Sequence, residues 1–144
     1  MKKELSGSLV FDTSTLLELV YGTEKGEKLK DAIKSEKVYC NISELTLTEL
    51  KYVLCRKIGE ESAQDRINRL MESGYIILHE DTKLVDYASA YKCRRRISLA
   101  DCFTLALAKK IDAPAIFAKK EEELVEEIAR NPFDIKIIFL EDYF

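Results

Sequence analysis

Short apolar runs alternate along this chain with longer stretches of helical period. The runs are Leu9 to Phe11, Lys37 to Cys40, Tyr75 to Leu78, Ala115 to Ala118 and Ile135 to Leu140, and each predicts a short buried strand. Between them, helices are expected over Thr13 to Tyr21, Glu24 to Lys34, Glu44 to Ile58, Glu61 to Glu72, Lys83 to Arg95, Leu99 to Ile111 and Glu121 to Arg130. Leu47, Leu50, Leu54 and Ile58 recur three or four residues apart, as do Leu84, Ala88 and Tyr91, which places one apolar stripe on each helix. Buried strands alternating with helices predict an α/β domain whose mainly parallel sheet is covered on both faces. No linker, repeat or low-complexity tract interrupts the pattern, so a single domain is expected across residues 1–144.

Composition narrows the class. A chain of 144 residues can bury roughly 68–70% of its unfolded surface, enough to fold without a disulfide or metal staple. Hydrophobic residues at 47% exclude a disordered chain, and 5 Gly with 2 Pro exclude a collagenous or linker-like one. No apolar stretch approaches the roughly 20 residues that span a bilayer, and the apolar run in the opening MKKELSGSLVFDTS is short for a leader peptide. A soluble, cytoplasmic domain with no membrane partner is the expectation. The net charge of −3 argues against coating nucleic acid by overall charge, while leaving room for a local basic patch. The four cysteines, Cys40, Cys55, Cys93 and Cys102, lack CxxC spacing and lie in apolar-periodic segments, so free buried thiols are expected. With His79 as the only histidine, a zinc site lacks its paired ligands.

Candidate chemistry lies where strands end and helices begin, because open parallel sheets collect ligands at the carboxyl ends of their strands. Asp12 directly follows the first strand and precedes Thr13-Ser14-Thr15. It suits a ligand position and equally suits a helix N-cap. Glu49 stands three residues after Thr46, and Asp101 three after Ser98, so each fits a capping box as well as a site. The helix carrying Asp101, LADCFTLALA, is apolar nearly all round and should be central. A carboxylate there, beside the small face of Thr104 and Ala108, needs a partner, a cation or a raised pKa. If Asp12, Glu49 and Asp101 converge, their repulsion calls for a hard, oxygen-liganded cation such as Mg²⁺ or Mn²⁺.

The ordered set FDTSTLL, LTLTELKYVL and SLADCFTLALA resembles the PIN-domain family of metal-dependent nucleases, and most nearly its VapC-type toxin ribonucleases. The likeness runs through nearly the whole chain, and SLADCFTLALA is its most specific piece. It implies a three-layer α/β/α fold around a five-stranded, mainly parallel sheet. It implies hydrolysis of RNA phosphodiesters with Mg²⁺ or Mn²⁺, with Asp12, Glu49 and Asp101 as catalytic acids and metal ligands and Ser14 in support. The family's next acid lies in a Thr-x-Asp-x-Asp-Leu-like stretch, matched here by Lys119-Lys120-Glu121-Glu122-Glu123-Leu124. Glu121 takes the metal-ligand position and Glu123 the supporting one after it. Glu in place of Asp, and Lys119 in place of a small hydroxyl residue, are the two departures. Lys119 can bind substrate phosphate or compete with the metal. The resemblance further implies a homodimer and a small antitoxin partner.

Lys92, Arg94, Arg95 and Arg96 form the densest basic cluster. Arg95 and Arg96 are candidate phosphate contacts, although cations also favour the helix C-terminus expected there. Tyr21, Tyr52 and Tyr91 fit apolar helix faces and are expected in the core, and His79 is expected to be structural or superficial. Two other readings stay open. One is a PIN-like module that binds RNA without useful turnover. The other is a phosphoryl-transfer domain such as a haloacid-dehalogenase-like phosphatase, although Ser14 stands where that family's first motif has a second Asp.

Overall fold

A computed structural model describes residues 4–144; residues 1–3, the start of the segment weighed above as a leader, lie outside the described residues. Five strands, β1 (Gly7–Phe11), β2 (Val38–Ser43), β3 (Ile76–His79), β4 (Ala115–Phe117) and β5 (Ile137–Phe139), form one sheet in the order β3-β2-β1-β4-β5. Every pairing is parallel, so the sheet is wholly rather than mainly parallel. The helices are α1 (Thr13–Tyr21), α2 (Glu24–Lys34), α3 (Glu44–Ile58), α4 (Glu60–Glu72), α5 (Val85–Arg94), α6 (Leu99–Ile111) and α7 (Glu122–Arg130).

The side-chain alternation of β1 divides the core in two. Leu9 and Phe11 point into a cluster with Leu16 and Leu29 of α1 and α2 and with Leu50, Leu54, Ala63 and Ile67 of α3 and α4. Val10 points the other way, into a cluster with Ala88 of α5, Leu105 and Ala108 of α6 and Leu124 of α7. Helices therefore cover both faces, giving the three layers anticipated from the chain. Parallel strands buried from both sides read as continuous apolar runs, which is why β1 and β4 were visible as LVF and AIF. Gly26 lets α2 start hard against α1, since a Cβ there would lie 1.8 Å from the Glu18 carbonyl oxygen.

Several boundaries moved for physical reasons. Strand β2 runs on past Cys40 to Ser43. Its buried Asn41 interrupts the apolar pattern yet is satisfied, donating from Nδ2 to Leu9 O at 3.2 Å and pairing through Oδ1 with His79 Nε2 at 2.9 Å. The helix expected from Lys83 is a short 3-10 turn over Asp81–Lys83 followed by α5. All four cysteines are free, but only Cys40 and Cys102 are buried; Cys55 and Cys93 are exposed, a correction to the expectation for all four. Tyr91 is buried, whereas Tyr52 lies on the surface with the Arg56 guanidinium 5.2 Å from its ring. Among the described residues, no helix is long and apolar enough to cross a membrane.

Candidate active site

The sheet order sets the location. After β1 the chain builds outward through β2 and β3, then returns across β1 to add β4 and β5 on its other side. The crevice above the carboxyl ends of β1 and β4 is thus the topological switch point, where α/β sheets bind ligands. A cleft of about 540 Å³ opens there, and its lining includes Asp12, Ser14, Ser98, Asp101, Glu121 and Glu123.

Asp12 sits one residue beyond β1, buried, with its backbone N–H donating to Ile116 O of β4 at 3.0 Å. It is also the N-cap of α1, so the two roles weighed for it coincide in one side chain. Both the backbone N–H (3.0 Å) and the hydroxyl (2.7 Å) of Ser14 donate to Asp12 Oδ2. The Ser14 hydroxyl oxygen in turn accepts from the Ala118 N–H at 3.0 Å, which ties the β1 turn to the loop leading out of β4. Burial raises the Asp12 pKa above 3.8, the Ser14 bonds oppose that rise, and the charge of Glu49 adds to it.

Glu49 enters from α3. The capping box weighed with Thr46 does not form, because Ser43 caps the helix, accepting from Thr46 N–H at 3.1 Å. Glu49 therefore lies in the second turn, half-buried, and accepts the Thr13 hydroxyl on Oε1 at 2.6 Å. It does not line the cleft directly, but its charge acts on both Asp12 and Asp101.

Asp101 comes from the first turn of α6, where Ser98 is the N-cap and its oxygen accepts from Asp101 N–H at 3.1 Å. Burial first, then the charges of Asp12, Glu49 and Glu123, push its carboxyl from the ordinary 3.8 to about 7, with a Ser98 hydrogen bond opposing. Glu123 thus shares the electrostatic neighbourhood of the other acids. Glu121, the N-cap of α7, and Glu123 are both exposed on the far wall of the cleft.

These side chains form an all-carboxylate donor set with no internal compensation. Among the described residues, no ion pair involves Asp12, Glu49, Asp101, Glu121 or Glu123. Mutual repulsion without a cationic side chain is the chemistry of a hard-cation site, and in that respect the residues fit a divalent metal. Among the described residues, no three His, Cys, Asp or Glu side chains are grouped closely enough to hold a metal ion as they stand. Ligation by several of them therefore needs bridging water or rotation of the exposed Glu121 and Glu123 side chains.

The basic residues divide. Arg95, expected as a phosphate contact, is corrected to a structural tether. Its side chain is 9% exposed, pairs with Glu127 at 3.4 Å, donates to Asn131 O and Pro132 O, and lies 3.6 Å over the Phe133 ring. Glu127 was not foreseen; it is 2% exposed and also takes Arg130 at 2.6 Å and the Arg96 N–H at 3.2 Å. Its signal was available: Leu124, Glu127 and Ile128 share the inward face of α7, and a charge there demands partners. The Arg96 side chain is exposed, and Lys119 is exposed outside the cleft lining. Lys120 is drawn off to Asp142 at 2.9 Å. Thr13 was the other residue missed, since nothing in the sequence joins it to a helix starting 31 positions on.

Comparison with known proteins agrees with this fold. A family model described as PIN domain matches residues 9–130. Among solved structures, DNA-bound VapBC from Salmonella typhimurium is similar at 15% identity over 92% of this chain and 98% of that one, with a TM-score of 0.70. VapBC2 from Rickettsia felis, bound to a DNA fragment from its promoter, is similar at 14% identity over 91% and 97%, with a TM-score of 0.69. VapC20 from Mycobacterium tuberculosis, a sarcin-ricin loop cleaving toxin, is similar at 20% identity over 82% and 94%, with a TM-score of 0.63. At these identities the likeness is one of fold. No curated protein sequence matches the chain.

Proposed function

The chain belongs to the PIN domain family, and from that premise we propose that it is a divalent-metal-dependent endoribonuclease acting as the toxin of a toxin–antitoxin pair. The observation that carries the reading is the uncompensated set of carboxylates at the switch point, where burial first and then the charges of Asp12, Glu49 and Glu123 raise Asp101 to about 7.

In this reading Asp12, Glu49 and Asp101 hold the ion, with Glu121 as a further ligand and Glu123 beside it. When bound, a divalent cation supplies Lewis-acid chemistry, offsetting charge that develops on the phosphodiester oxygens and easing deprotonation of water. The chain's own part is positioning. Ser14 holds Asp12 by Oδ2 and leaves Oδ1 for the cleft. The small α6 residues beyond Asp101, Thr104 and Ala108, are buried in the core and not on the cleft, and the exposed Arg96, with Lys119, is available to draw a phosphodiester in. Ser14, which occupies the place of a phosphatase's second Asp, serves as the donor to Asp12 instead.

The VapBC complexes among the solved relatives support a small protein partner for this chain. Half-exposed Tyr39, Ile77 and Leu78, on and beside the edge strand β3, support a homodimer, since apolar surface on a sheet edge favours being covered.

The test is cleavage of a mixed RNA panel by the purified protein with Mg²⁺ or Mn²⁺, beside EDTA controls. Metal-dependent cleavage is the expected result. RNA bound but uncut at saturating Mn²⁺ replaces the enzyme with a binding module, and neither binding nor cleavage removes RNA from the account.

A further inference from the structure

The Thr13 hydroxyl reaches across from α1 to a carboxylate of α3, and this contact has a consequence for the acid cluster. Thr13 is the first residue of α1 and is 7% exposed, an enclosed place for a hydroxyl that needs a partner. Its partner is Glu49 Oε1 at 2.6 Å, a short O–H to carboxylate bond between residues 36 apart in sequence. Glu49 is half-buried in the second turn of α3. Without a fixed partner a glutamate there has three rotatable bonds and no single orientation imposed on its carboxylate.

We propose that Thr13 is a positioning residue that holds Glu49 in the orientation from which it joins Asp12 and Asp101 in binding a divalent cation. The inference rests on the functional reading above and adds to it a residue that touches neither the ion nor the RNA. One carboxylate oxygen is occupied by the Thr13 hydroxyl, and Oε2 is left for the ion or for a water bridging to it. The same two-residue turn thus serves two acids: Ser14 fixes Asp12, and Thr13 fixes Glu49.

The experiment measures Mn²⁺ binding by isothermal calorimetry on the full chain, for wild type, Thr13→Val, Thr13→Ser, Glu49→Gln and the Thr13→Val/Glu49→Gln double variant. Valine keeps the shape of threonine and removes the donor; serine keeps the donor. Losing a hydrogen bond to a charged acceptor is expected to weaken Mn²⁺ binding about tenfold in Thr13→Val. Thr13→Ser should bind within about twofold of wild type, and Thr13→Val should add nothing once Glu49→Gln is present. Thr13→Val binding like wild type overturns the inference, and so does an equal loss in both backgrounds, because a general packing defect acts without Glu49. Wild type failing to bind Mn²⁺ overturns the metal reading and this inference together, whereas a normal wild type with an unaffected Thr13→Val overturns the inference alone.

Discussion

Replacing Asp101 with Asn keeps the size of the side chain and removes the charge that its surroundings disfavour. In the folded protein that carboxyl stands at about 7, against 3.8 ordinarily. At about 1.4 kcal/mol per pH unit, the charged form is disfavoured by up to about 4 kcal/mol. Salt screens the repulsion from Asp12, Glu49 and Glu123, and loss of an acid from the first turn of α6 opposes the gain by up to about 1 kcal/mol. A net stabilisation of about 2 kcal/mol at pH 8 is therefore expected for Asp101→Asn without metal, or about 6 °C in Tm for a chain of this size. The sign follows from linkage. Between 3.8 and about 7 the native state holds a proton that the unfolded chain has released, so wild-type stability falls as pH rises through that window. The advantage of the variant should accordingly be small at pH 4, grow toward pH 7 and then level off. Saturating Mn²⁺ should raise the wild-type Tm and leave the variant little changed. Differential scanning calorimetry at several pH values reads all of this. A variant less stable than wild type at pH 8, or a gap that ignores pH, refutes the reasoning.

Three further outcomes follow from the same geometry. Because a proton on Asp101 competes with the cation, Mn²⁺ affinity measured by calorimetry should fall as pH drops below about 7, by up to about tenfold per pH unit, and should level off above it. Arg95→Ala should lower stability in urea by about 1–2 kcal/mol, because it removes one of the two guanidinium partners of buried Glu127 and the packing over Phe133 while Arg130 stays, whereas Arg96→Ala leaves stability within about 0.5 kcal/mol and weakens RNA binding in a filter assay. Ser14→Ala removes the hydroxyl that links Asp12 to Ala118 N–H, and should cost about 1–2 kcal/mol in urea unfolding together with a loss of Mn²⁺ affinity.

How much of this was legible in the sequence depends on how far each interaction reaches. The central strands were visible because burial from both sides makes them uniformly apolar, and the parallel α/β layout followed from their alternation with helices. Asp12 and Asp101 were legible through local chemistry, since a strand end and an N-capped helix start are events within four residues. Asn41 hid the second half of β2, because only the folded sheet brings the Leu9 carbonyl and the His79 ring to satisfy it. The start of α3 at Glu44 was legible, but its cap is Ser43, so of the two roles weighed for Glu49 the capping box with Thr46 does not form. Arg95 misled for a similar reason: a run of lysine and arginine reads as a patch, and only α7 and the segment after it, more than 30 residues on, reveal that its guanidinium is enclosed. Glu121 and Glu123 line the cleft, whereas Lys119 lies outside its lining.

The central claim is that the carboxylates at the switch point form one metal-dependent centre that cuts RNA. The measurement that tests it most directly is the single-turnover cleavage rate of one RNA by wild type and by Asp101→Asn, both in Mn²⁺ and both repeated in EDTA. The Asn variant is expected to be the more stable protein, so loss of fold cannot explain a loss of rate. The account predicts cleavage by wild type in Mn²⁺, none in EDTA, and a rate at least about a hundredfold lower in the variant, the scale of one lost electrostatic element in a catalytic site. Equal rates in the two proteins, or cleavage that persists in EDTA, would contradict it.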